Sequence, residues 1–76
     1  MSLKDLAKNA FENFDNTDTD EIQKILEQIQ TKLTSNLTQE YLQEKIKSLQ
    51  DADSEQEKRK LCQKLKPYLD WYVQGA

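Results

Sequence analysis

The residues best placed for chemistry in this chain are four oxygen donors, Asn16, Asp18, Asp20 and Glu27. They stand at positions 1, 3, 5 and 12 of a calcium-binding loop, where carboxylate and amide oxygens surround a hard cation. Two features break the pattern. The sixth position is Glu21, where the sharp turn requires Gly, and an apolar helical stripe already begins at Ile22, so the far half has no loop to form. The acids suit the first turn of a helix instead, where they complement the positive end of the backbone dipole. No metal ligands are assigned.

Cys62 is the one thiol, and the chain has no His to act as its base. It falls among apolar residues at helical spacing, which predicts a small buried hydrophobe in a reducing compartment rather than a nucleophile. No pair of carboxylates converges on one predicted face for acid-base work. The expectation is a protein that is not an enzyme and carries no cofactor.

What remains is a surface of mixed character near the C-terminus. Lys60, Lys64, Pro67 and Trp71 follow at i, i+4, i+7 and i+11 and so share one side of a helix. Trp71 lies roughly 130° from the centre of the apolar arc formed by Leu61, Cys62, Leu65, Tyr68, Leu69, Tyr72 and Val73. An indole among lysines is a partner-anchoring arrangement, and these four residues are the expected binding residues. The competing expectation is that the chain bends at Pro67 and tucks the indole against a neighbouring helix.

The elements that position this surface follow from composition and periodicity. One Gly and one Pro in 76 residues, with a third of the chain charged, predict long helices joined by polar turns. Ser2 opens a first helix to about Phe14, with Leu3, Leu6, Ala7, Ala10, Phe11 and Phe14 on one face. A second starts at Asp18 or Thr19 and carries Ile22, Ile25, Leu26, Ile29 and Leu33. Asn36 is expected to close the turn after it, and Thr38 to cap a third helix with Leu37 and Leu42 as a hydrophobic staple. The third stripe is thin, with Leu42, Ile46 and Leu49 inward and Tyr41, Lys45 and Ala52 on the flank, which predicts an edge position. Ser54-Glu55-Gln56-Glu57 is a capping box and starts the last helix, kinked or broken at Pro67 and closed by Gly75.

Four amphipathic segments with short connections predict an all-α domain over residues 1–76, a small antiparallel four-helix bundle. A homodimer that exchanges the last helix is the competing arrangement. No apolar run reaches the roughly 18 residues of a membrane span, and the chain reads as cytoplasmic.

Charge narrows the partner. Met1 to Asp53 holds six Lys against eleven acids, a net of −5, whereas Ser54 to Ala76 holds five Lys and Arg against three acids, a net of +2. The overall −3 argues against general nucleic-acid binding, although a regulator that uses the basic last helix is an alternative. The leading expectation is a small adaptor or regulator that binds an acidic protein through the flank of its last helix. In size, helix count and acidic character the chain also resembles the small helical immunity proteins that protect bacteria from their own bacteriocins. That resemblance implies an all-helical fold and a role in toxin protection; it rests on no motif and assigns no residue.

Overall fold

A computed structural model describes residues 2–74 of the chain. It contains four helices, α1 (Leu3–Glu12), α2 (Thr19–Gln30), α3 (Asn36–Asp51) and α4 (Glu55–Val73), with a 3-10 turn at Phe14–Asn16. Among the described residues there is no strand, and no helix is long and apolar enough to cross a membrane.

The helix starts follow from serine hydroxyls. Ser2 Oγ accepts from the Asp5 amide at 3.2 Å and Ser54 Oγ from the Glu57 amide at 3.1 Å, each satisfying a donor that the first turn leaves without a helical acceptor. Asp18 occupies the position before α2 but makes no capping bond with its side chain. Its neighbour Thr19 is buried and donates its hydroxyl to Glu55 Oε1 at 2.8 Å, tying the start of α2 to the start of α4.

Three helix boundaries differ from expectation, the first being that α2 ends at Gln30 and leaves Leu33 to the turn that follows. α1 stops at Glu12, and Phe14 begins the 3-10 turn. Asn13 bonds through its side-chain amide to both the carbonyl and the side chain of Asn9, and Thr17 donates its hydroxyl to the Asn13 carbonyl. These polar side chains offer the backbone an alternative to further α-helix. The third helix starts earlier than expected: Ser35 is its cap, with Oγ accepting from the Thr38 amide at 3.5 Å, and Asn36 is already helical. Leu37 is 79% exposed, so it forms no staple; the buried apolar residue of this turn is Leu33.

Pro67 lies inside a single helix that continues from Glu55 to Val73, so the last helix is not broken there. Leu65 and Leu69, on either side of it, are buried, and their packing holds the helical path past the one backbone bond that Pro cannot donate. Gly75, the expected stop, lies outside the described residues.

α4 packs against α1, α2 and α3, whereas α1 and α3 do not touch each other. The dimensions of 32 × 27 × 17 Å follow from that: α2 and α4 meet across the middle and the other two flank them, giving a flattened molecule. The core joins Ala7, Ala10 and Phe14 to Ile22, Ile25, Leu26 and Ile29 of α2, Leu42, Ile46 and Leu49 of α3, and Cys62, Leu65 and Leu69 of α4. The small side chains at Ala7 and Ala10 let α1 approach closely. α3 is peripheral, as its thin stripe predicts, and its flank is left to form one wall of a surface groove.

Candidate interaction surface

The C-terminal half of α4 lies alongside the turn between α2 and α3. Between them is an open cavity of about 330 Å³, lined by Leu33, Thr34, Ser35, Thr38, Pro67, Tyr68 and Trp71. The turn that forms one wall is fastened by glutamines: Gln39 donates its amide to the Leu33 carbonyl, and Gln30 donates to the Gln39 carbonyl at 3.4 Å. Those bonds fasten the turn that carries buried Leu33, and Thr34, Ser35 and Thr38 complete the lining on that side.

Trp71 is 42% exposed, with its ring centroid 6.4 Å from that of Tyr72 and tilted by 44°. The indole is neither sealed in the core nor fully in water. Tyr72 below it packs against the core, so Trp71 has a firm base. Pro67, exposed and one turn earlier, forms the adjoining wall.

A second, smaller groove of about 160 Å³ lies next to the first, between α3 and α4. Tyr41, Lys45, Leu61, Lys64, Leu65 and Tyr68 line it, and Tyr68 belongs to both. Burial raises the Tyr68 phenol above its ordinary pKa, with a smaller contribution from Tyr41 across the groove. Tyr41 is itself 52% exposed, and Lys45 holds its ammonium 5.2 Å from the centre of the Tyr41 ring.

Of the four residues expected to bind a partner, Pro67 and Trp71 share the larger groove and Lys64 lines the smaller one. Lys60 is exposed one turn beyond Lys64 and lines neither. The opposite wall was not among the expected binding residues. Tyr41 and Lys45 already stand on the flank of the third stripe, which is the one sequence signal for it; nothing local marks Leu33, Thr34 or Ser35.

The basic run of α4 divides in two. Arg59 and Lys66 turn toward α1, Arg59 Nη1 donating to the Phe14 carbonyl at 2.8 Å and Lys66 Nζ lying 4.9 Å and 5.2 Å from the Phe11 and Phe14 ring centres. The i to i+4 spacing of Glu55 and Arg59 suggests a pair along the helix, but the carboxylate is bonded to Thr19 and the guanidinium to Phe14. The lysines on the other side, Lys60 and Lys64, face the groove side of the helix.

The remaining reactive groups have structural surroundings. Burial pushes the Cys62 thiol up to about 11, with Arg59 and Lys58 acting against the shift and Glu55 adding to it. At neutral pH it is a protonated, buried thiol. Asp20 and Glu27 of the calcium-like spacing stand on α2, and Glu27 accepts from the amides of Gln23 and Gln50, both at 3.3 Å, linking α2 to α3. Among the described residues no cluster of His, Cys, Asp or Glu could hold a metal ion. No protein-family model matches the chain, nor does any curated protein or solved structure.

Proposed function

We propose that this is a non-catalytic cytoplasmic protein that acts by binding another protein through the groove side of α4, with Trp71 and Pro67 as the apolar contact and Lys60 and Lys64 as the charged one. The observation behind the reading is a half-exposed indole on the wall of a preformed 330 Å³ cavity. Covering its exposed part, on the order of 100 Å² of mostly apolar area, contributes about 2.5 kcal/mol to association. Aromatic anchors of this kind dominate the energetics of interfaces.

We read the helices as an antiparallel bundle, since the connection between α3 and α4 spans only residues 52–54 and allows little but reversal of direction. We read Pro67 as a local bend that opens the α4 surface next to Trp71. The role in bacteriocin immunity is a specific form of the same reading, in which the bound protein belongs to the toxin or its receptor. A nucleic-acid role has less support, because Arg59 and Lys66 are engaged with α1 and the acidic remainder repels phosphate.

Affinity capture with the intact chain and with Trp71→Ala tests the proposal. A partner retained by the first and lost by the second, at unchanged helicity, supports it. A partner held equally by both places the contact elsewhere.

A further inference from the structure

The identity of the occupant can be narrowed, on the premise that the α4 surface binds a protein. The two grooves share Tyr68 and follow one another along α4, from Lys45 and Leu61 to Ser35 and Trp71, and together they offer one trough for a ligand. From Leu61 to Trp71 the helix advances ten residues, about 15 Å at 1.5 Å per residue, a little under three helical turns.

The trough differs in charge from the rest of the molecule. Leu33, Leu61, Leu65, Pro67, Tyr68 and Trp71 provide its apolar lining. Lys45 stands on the α3 side and Lys64 on the α4 side, and no acidic residue lines either groove, in a chain whose net charge is −3. A cationic apolar channel on an anionic protein selects an apolar ligand with acidic edges. A strand is a poor occupant, because the walls are two helices and a short turn and, among the described residues, present no sheet edge. A second copy docked about a twofold axis would set the lysines of one trough against those of the other.

We propose that the trough receives an amphipathic helix of a partner protein, about three turns long, with acidic residues on both edges of its apolar face. A bulky apolar side chain of that helix sits in the cavity between Leu33, Pro67 and Trp71. Its acidic edges pair with Lys45 on one side and with Lys64, extended by Lys60, on the other.

The test is a selection of random 16-residue peptides displayed on phage against the full chain, run in parallel against Trp71→Ala. Clones that need Trp71 should carry apolar residues at helical spacing flanked by Asp or Glu. The corresponding synthetic peptides should gain helicity on binding and shift the emission of Trp71, the single Trp of the chain. Joint replacement Lys45→Glu with Lys64→Glu should weaken them roughly tenfold, and Lys in place of the peptide's acids should restore binding. That restoration is informative even where the charge reversal alters stability.

Clones that need Trp71 but lack helical spacing or acidic edges overturn the acidic-helix inference and leave the protein-binding role standing. If no clone depends on Trp71, both fall. Phosphatidylglycerol vesicles that shift the emission as strongly as the peptides also overturn it, by making a lipid surface the occupant.

Discussion

Arg59 reaches from α4 to the end of α1, where its Nη1 donates to the Phe14 carbonyl oxygen at 2.8 Å and its guanidinium carbon lies 5.9 Å from the centre of the Phe14 ring. One side chain thereby satisfies a backbone acceptor in the 3-10 turn and covers the aromatic ring that the turn buries. Replacing Arg59 by Met keeps much of the aliphatic stem and removes the donor. The expected loss is about 2 kcal/mol, the value of a charged hydrogen bond in a partly buried setting. Thermal unfolding followed by circular dichroism should then fall by roughly 8–16 °C.

Thr19 and Glu55 provide a second long-range tie, at 2.8 Å between the hydroxyl and the carboxylate. Thr19→Val conserves shape in a buried position and leaves Glu55 without this donor. A cost of about 1 kcal/mol is expected in urea unfolding. Combining it with Glu55→Gln should cost less than the sum of the two single changes, because both act on one bond.

Trp71→Ala separates binding from folding. With 42% of the residue in solvent, the expected destabilisation is about 1 kcal/mol. A fully buried Trp would lose roughly 3–5 kcal/mol. Acrylamide should quench the native emission appreciably, and a loss of stability in the larger range would place the indole in the core instead.

Pro67→Ala should make the protein more stable. Alanine restores a backbone donor within α4 and removes the ring clash, a gain of about 3 kcal/mol, offset by about 1 kcal/mol from the greater freedom of the unfolded chain. A net rise of about 2 kcal/mol in denaturant unfolding is expected, together with weaker partner binding as the groove loses one wall. A fall in stability would mean that the surrounding contacts require the proline ring.

How much of this was readable in advance depends on the range of the interaction. Ser54 with Glu57 three residues later is a local signal, and the cap forms where it is expected. The isoleucines of α2 are equally direct. At the start of α3, however, Ser35, Asn36 and Thr38 are all competent cap residues, and the choice among them is made by the burial of Leu33 and the Gln39 bond to its carbonyl. Pro67 is a similar case: the local rule favours a break, and packing of Leu65 and Leu69 overrides it. The basic run has an ordinary i to i+4 appearance, yet its Arg bonds to a residue 45 positions away. The α4 half of the candidate site follows from one helical wheel, whereas the α2–α3 half needs the tertiary arrangement.

The thiol gives a prediction in alkali. Cys62 has an ordinary value of 9.0 and a folded value of about 11 because burial disfavours the thiolate. The folded state therefore holds its proton where the unfolded state has lost it. This contribution to stability is complete below pH 9 and diminishes as the pH rises toward 11. Cys62→Ala should show a shallower decline across that window, measured as the urea midpoint against pH. At pH 8 the native thiol should react with a disulfide reagent only as fast as the protein opens.

Because α4 packs against all three other helices and supplies Cys62, Leu65 and Leu69 to the core, the part of the chain before it has no complete interior of its own. While the ribosome is still producing the segment from Glu55 onward, the greasy sides of Ile22, Leu26 and Leu42 lack the α4 side chains that complete their shelter. Folding of these four helices thus waits on the segment from Glu55 onward, and a nascent chain stalled before Glu55 is a natural client for chaperones.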